Sequence, residues 1–223
     1  SMFPGAVKLR AAASVHTLVV NAVECEPGIE IDEALVRHQG ERVAAGIGLL
    51  RRALGIGQTV LAVKRGSALA GLRTIAAEPV RILVMPNRYP AGAEKLIVER
   101  LTGRRPPAGV LPVQLGHLVF SAASLWALGR RAVEGRPSID RPLTLVGPDK
   151  SRRNLIVPLG MGIGDLLAAA GITADPARHL LVAGGLMMGR QVAPDSPVLK
   201  GTNAVFVRTP ERRLGKPEEP CIL

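Results

Sequence analysis

Aromatic side chains are scarce: Phe, Trp and Tyr make up 2% of the 223 residues. Proteins that bind single-stranded nucleic acid need rings on which bases stack, so this scarcity argues against that role. The charge balance alone would invite it, with 29 Lys and Arg against 18 Asp and Glu and a formal charge of +11. The basic pairs Arg51-Arg52, Arg104-Arg105, Arg130-Arg131 and Arg152-Arg153 never lengthen into a basic run. Charge scattered in this way forms a solvated surface, and no nucleic-acid partner is expected. Attraction for an acidic redox partner or a phosphate-bearing cofactor is compatible with it.

Cysteine is nearly absent. Cys25 and Cys221 are too few for a disulfide framework and suit a reducing compartment. No apolar run is long enough to span a bilayer, and the opening SMFPGAVKLR has no apolar centre of the signal-peptide kind, so a cytoplasmic protein is expected. Met2–Arg10 reads as the interior of a longer reading frame. His16, His38, His117 and His179 are dispersed without a Cys or His at metal spacing, and no G-x-S-x-G or Ser-His-Asp pattern occurs.

What is present is core: 47% of residues are hydrophobic, ample for a large domain or two small ones. The stretch TLVVNAVECEPGIEIDEALVR, residues 17–37, reads as a strand over Leu18–Val20, an acidic loop with Glu24 and Glu26, and a helix from about Asp32. Val36, Val43, Ile47, Leu50 and Leu54 continue it as one long amphipathic helix that stops at Gly55-Ile56-Gly57. Thr59–Val63 and Val80–Met85 follow as strands, with a weaker helix over Ser67–Ala77 between them. Strands alternating with helices predict an open parallel sheet of Rossmann-like α/β type. The Pro86–Gly92 loop leads into a helix over Glu94–Leu101. Coil is expected over Thr102–Gly116 and a helix over Leu118–Val133.

Glu134–Arg141, polar with Gly and Pro, is the best boundary. Beyond it, strands over Leu143–Val146 and Asn154–Val157, a helix over Ile163–Ala170, and strands over Leu180–Ala183 and Ala204–Val207 predict a small α+β module of β-grasp type. The expected organisation is 1–136, 137–210 and a tail over 211–223.

Ligands bind at the carboxyl ends of strands in open α/β sheets. Should the strand ending at Met85 neighbour the one ending at Asn21, both following loops face one crevice. Glu24 and Glu26 there can accept hydrogen bonds from sugar-alcohol hydroxyls, or orient a nicotinamide amide; by spacing alone a solvated acidic loop explains them as well. Asn21 can offer a donor and an acceptor to a heteroaromatic edge, or simply form a turn. Gly92-Ala93-Glu94-Lys95 opens a helix whose amides could meet a phosphate or a flavin edge with Lys95 as counter-charge, or is an ordinary helix start with Glu in its first turn. Cys25 reads as a packed thiol, and Gly184–Gly189 as a tight turn. Pro220-Cys221-Ile222 could begin a C-x-x-C-x-x-C iron–sulfur run, making Cys221 its first ligand.

These segments together resemble a known family. Asn21-Ala22-Val23-Glu24-Cys25-Glu26-Pro27 with Asp32, Leu35 and Arg37 is similar to the N-x-x-E-C-E-P…D-D-x-L-x-R segment of the RnfC-like proteins, whose relatives are the flavoprotein subunit of respiratory complex I and the cobalamin reductase of propanediol-utilising microcompartments. Tyr89–Lys95 resembles the family's Y-P-x-G-G-E-K, Gly184–Gly189 its G-G-P-M-M-G and Lys200–Asn203 its K-G-T-N. Leu101-Thr102-Gly103 and Leu111-Pro112 keep register between them. The resemblance implies an FMN-binding, NADH-oxidising domain followed by a soluble-ligand-binding β-grasp (SLBB) domain, with 4Fe-4S clusters after that module. Asn21, Glu24 and Glu26 would stand beside the flavin, Gly92 and Glu94 on the nicotinamide side, and Lys8 near the flavin phosphate or ring. Ser121 occupies the asparagine position of the family's N-V-x-T, Ala93 the place of its second glycine and Ile31 that of a cysteine; its G-x-G-G-A-G would precede Phe3. In the implied reaction NADH delivers hydride to FMN and single electrons leave through clusters to other electron-transfer subunits of a complex peripheral to a membrane, or to a corrin. The other reading is a flavin-free scaffold of the same descent that docks a ligand or partner. A single cavity lined by Asn21, Glu24 and Glu94 would separate the two.

Overall fold

The computed structural model describes residues 5–12 and 14–210. Cys221 and the tail over 211–223 lie outside the described residues. The chain runs α1 (Gly5–Arg10), β1 (Thr17–Ala22), α2 (Ile31–His38), α3 (Gly40–Leu54), β2 (Gln58–Lys64), β3 (Thr74–Ile75), β4 (Glu78–Pro79), β5 (Arg81–Met85), α4 (Glu94–Thr102), β6 (His117–Ser121) and α5 (Ala122–Glu134). There follow β7 (Asp140–Val146), β8 (Arg152–Pro158), α6 (Ile163–Ala169), β9 (Leu180–Ala183), β10 (Arg190–Val192) and β11 (Ala204–Arg208).

β1 sits inside a four-stranded parallel sheet of order β5-β2-β1-β6. Strand side chains alternate between faces, and both faces here are covered, which is why β1 is an unbroken apolar run. Leu18, Val20 and Ala22 join the core under α2, α3 and α5, with Leu35, Ile47 and Trp126. Val19 and Val23 face the other way onto Ile97 and Val98 of α4. The result is an α/β/α sandwich. α3 and α5 pack at very short range: a Cβ on Gly129 would stand 1.7 Å from Arg42 O, and one on Gly46 2.1 Å from Leu125 O.

The second sheet is mixed, of order β10-β9-β11-β7-β8, with β11 and β7 parallel and the other pairs antiparallel. With α6 across one face this is a β-grasp arrangement. Leu143, Leu145, Val205 and Val207 pack on α6, whereas Val146, Ala204 and Phe206 point into the first sandwich's core. The two sheets thus share apolar packing along this face.

Four local expectations differ from the structure. The long helix is broken at Gln39 (φ −130, ψ 28), ahead of Gly40. Ser67–Ala77 forms a 3-10 turn over Ala68–Gly71, then the hairpin β3-β4, because Ala76 adopts a left-handed φ of 52° and β-branched Thr74 and Ile75 pair as strand. Leu118–Val133 is a strand followed by a helix: Leu118–Phe120 completes the sheet beside β1, and Ser121 ends the strand by capping α5, its Oγ accepting from Ser124 N at 3.2 Å. β10 is an additional short strand paired with β9.

Candidate functional site

β1 ends at the carboxyl edge of its sheet, where register sets Asn21 beside Ser121 on one side and Ala62 on the other. Asn21 Oδ1 accepts from Val23 N at 3.0 Å, and its Nδ2 donates to Gly92 O at 3.0 Å. One amide therefore ties the loop after β1 to the loop after β5. The strands themselves are not neighbours, since β2 lies between them; the loop after β5 reaches across. Gly92 makes that approach possible, because a Cβ there would stand 2.5 Å from Val23 O and 3.2 Å from Cys25 Sγ. Cys25 is half-buried against the apolar cluster that contains α4.

Beside this junction is a cavity of about 690 Å³ lined by Lys8, Asn21, Gly92, Glu94 and Ser121. Five residues selected from the sequence are thus brought together from α1, β1, β6 and the start of α4. Lys8 is buried; its ammonium pairs with the Glu94 carboxylate, donates to Val119 O at 2.8 Å and lies 5.4 Å from the centre of the Phe120 ring. Ser121 and Ser124 share a hydroxyl contact of 3.1 Å. A wider depression of about 960 Å³ at the α2–α3 break is lined by none of these residues.

Glu24, Glu26 and Lys95 do not line the cavity. Glu24 is buried beneath it: its Oε1 accepts from Asp32 N at 2.6 Å, and its Oε2 is buried without a hydrogen-bond partner among the described residues. Burial, reinforced by the Asp32 charge, pushes the Glu24 carboxyl up to about 8. Burial also raises Asp32, whose Oδ1 accepts from Ala123 N at 2.8 Å. Glu26 turns toward the second sheet, where its Oε2 accepts from Met187 N at 2.9 Å. Lys95 donates to Pro107 O at 3.2 Å, away from the cavity. Glu30, four residues beyond Glu26, pairs with Arg152 and donates from its own N to Thr144 Oγ1 at 3.1 Å. Much of the acidic loop therefore fastens one sheet to the other. Of Asn21, Glu24 and Glu94, the first and last share the cavity wall and Glu24 supports it from below through Asp32.

The cavity also includes residues that no sequence signal places at a site: Asp32, Ser124 and Arg131 from the helices, and Arg141, Lys200 and Asn203 from the second module. K-G-T-N is a visible motif, but nothing in its spacing says which surface it faces. Among the described residues no helix is long and apolar enough to cross a membrane, and no group of His, Cys, Asp and Glu could hold a metal ion.

The model of the Nuo51 FMN-binding domain family matches residues 1–130. The RnfC-type component of the ion-translocating oxidoreductase complex of Rhodobacter capsulatus is 36% identical over 230 residues, covering 99% of this chain and 44% of that protein. Its counterpart in Pseudomonas aeruginosa is 36% identical over 228 residues, covering 99% and 29%. Cobalamin reductase PduS of Citrobacter freundii is 35% identical over 210 residues, covering 92% and 46%. The chain spans less than half the length of these relatives. An NAD+-reducing NiFe hydrogenase in its H2-reduced state shares the fold at a TM-score of 0.70 and 23% identity, over 92% of this chain and 43% of the hydrogenase chain.

Proposed function

The chain belongs to the Nuo51 FMN-binding domain family, and from that premise we propose that it is the FMN-binding core of an RnfC-like electron-transfer flavoprotein of the kind found in ion-translocating oxidoreductase complexes. In this reading NADH is the electron source, and electrons leave to iron–sulfur clusters and partner subunits of a membrane-associated complex. Similarity to a cobalamin reductase adds a corrin to the candidate acceptors. Residues 1–136 act as the FMN/NADH domain and 137–210 as an SLBB-type module, working on the cytoplasmic side.

The observation that carries the reading is the cavity at the sheet's carboxyl edge. Its volume of about 690 Å³ lies within the roughly 300–1,000 Å³ of small-molecule sites. Its lining holds four cations, Lys8, Arg131, Arg141 and Lys200, against the two carboxylates Asp32 and Glu94, a donor set suited to a phosphate-bearing ligand. Ser121 and Ser124 can hydrogen-bond a polyol chain, and Asn21 keeps an amide N–H beyond its bond to Gly92 for a ring edge. When bound, FMN supplies the exchange between two-electron and one-electron chemistry. The protein's own work is to bind, orient and exclude water, with Lys8 holding a positive charge at the wall through its bond to Val119 O.

The flavin-free reading rests on a different observation, that the same polar groups already satisfy one another: Asn21 with Gly92 and Val23, Lys8 with Glu94, Ser121 with Ser124. A spectrum separates the two. The chain incubated with FMN and desalted should retain an oxidised-flavin absorption that NADH bleaches without oxygen, and Lys8→Met should retain much less. A colourless product from folded protein sinks the flavin reading and leaves the scaffold.

A further inference from the structure

The turn over Leu199–Thr202 is held at several points. Thr202 N donates to Leu199 O at 3.0 Å, and the buried Thr202 hydroxyl accepts from Leu199 N at 3.1 Å. Arg141 Nε donates to Thr202 O at 3.0 Å, and Thr144 N donates to Asn203 O at 3.0 Å. β7 thus clamps the turn from beneath, and the turn sets Lys200 and Asn203 on the wall of the cavity described above.

Charge on that wall is unbalanced. Lys8 is paired with Glu94, and the Asp32 carboxylate is engaged by Ala123 N. Arg141 uses its Nε on Thr202, while its terminal nitrogens have no hydrogen-bond or ion-pair partner among the described residues, and Lys200 Nζ has none either. Burial disfavours the Arg141 charge, and the Asp32 carboxylate, too far off for an ion pair, offsets only part of that cost. A guanidinium desolvated without a contacting anion is a costly arrangement. It becomes favourable when a ligand's anion enters, because guanidinium and phosphate match in charge and hydrogen-bond geometry.

We infer that the second module supplies the phosphate-binding end of the cavity, with Arg141, Lys200 and Asn203 receiving the phosphate of its ligand. The identification of that phosphate as the one on FMN rests on the flavin reading. A nicotinamide dinucleotide offers the same chemistry through its pyrophosphate.

The test uses the whole chain and compares wild type with Lys200→Glu, which changes an exposed side chain without partners among the described residues and should leave the thermal midpoint unchanged. Arg141→Gln serves as a second variant, with its fold checked by circular dichroism because Arg141 also anchors Thr202. Binding of FMN, riboflavin, NADH and inorganic pyrophosphate is followed by titration calorimetry. Lys200→Glu should weaken FMN by about tenfold or more while riboflavin, which has no phosphate, changes less than about twofold. Loss of FMN and riboflavin in equal measure, or of neither, overturns the inference while leaving flavin binding intact. If wild type takes no flavin but binds NADH or pyrophosphate in a Lys200-dependent way, the phosphate site stands and the flavin reading falls. If no phosphate compound binds, or if none is sensitive to Lys200→Glu, the phosphate site is refuted.

Discussion

Glu26 Oε2 accepts a hydrogen bond of 2.9 Å from Met187 N, joining the acidic loop after β1 to the glycine-rich turn before β10. The turn has a glycine where the carboxylate arrives, since a Cβ on Gly185 would stand 1.5 Å from Glu26 Oε2. Glu26→Ala and Gly185→Ala should therefore damage the same contact. Each is expected to cost about 1 kcal/mol, and the double variant little more than either alone. Urea denaturation of the set checks this; fully additive losses would show that the two residues act separately.

The buried pair Glu24 and Asp32 makes a prediction about pH. Glu24 rises from 4.5 to about 8 on folding, so the folded state holds a proton that the unfolded chain releases. Its contribution to stability is whole below pH 4.5 and is lost as pH climbs to about 8. Asp32 is shifted in the same direction and deepens the loss. Glu24→Gln should flatten the decline, whose steepest slope for one group is about 1.4 kcal/mol per pH unit. Denaturation midpoints of both proteins across this window give the answer, and parallel curves would assign the slope elsewhere.

Asn21 distinguishes hydrogen bonding from mere occupancy at the sheet edge. Asn21→Ala leaves Val23 N and Gly92 O without their partner and should cost about 2 kcal/mol. Asn21→Asp keeps the acceptor for Val23 N but sets a carboxylate against the Gly92 carbonyl, so it should not rescue the loss. Chemical denaturation of the two variants beside wild type decides it. A fully stable aspartate variant would mean that the bond to Gly92 is dispensable.

Gly129 tests the helix layer behind the site. Its missing Cβ lets Arg42 O approach to where a methyl would sit at 1.7 Å, and that neighbour is backbone, which cannot swing aside. Gly129→Ala should destabilise by about 3 kcal/mol or more. At Gly57 an added Cβ meets nothing within 4 Å, and alanine there should change stability by less than about 0.5 kcal/mol. Thermal melts of the two variants provide the comparison.

The parts of the fold written in local pattern are legible in the sequence. Val60–Val63 and Leu18–Val20 are apolar runs of strand length, α3 carries its apolar stripe at helical spacing, and Gly55 ends it in a left-handed conformation at φ 65°. The strand β6 is concealed because Leu118–Phe120 runs directly into the apolar face of α5, and periodicity cannot divide a short buried strand from the helix that follows. Ser121 is the available signal, a capping residue three positions before Ser124. The site is half legible: Asn21, Gly92 and Glu94 meet as their motifs suggest, while Glu24 and Glu26 go to other partners.

By itself the sequence determined which segments become strands and helices in most of the chain, because burial on one face or two leaves a period in the apolar residues. Its ordered motifs also determined the family. Only the tertiary structure decided where each carboxylate of the acidic loop points. Glu24 and Glu26 are two residues apart in a turn, and nothing local distinguishes them; one is drawn under the cavity by the amide of Asp32, the other outward by the amide of Met187. The same holds for Arg141 and Lys200. They reach the cavity because Val146, Ala204 and Phe206 bury the second sheet against the first, a packing between segments far apart in sequence that no local pattern encodes.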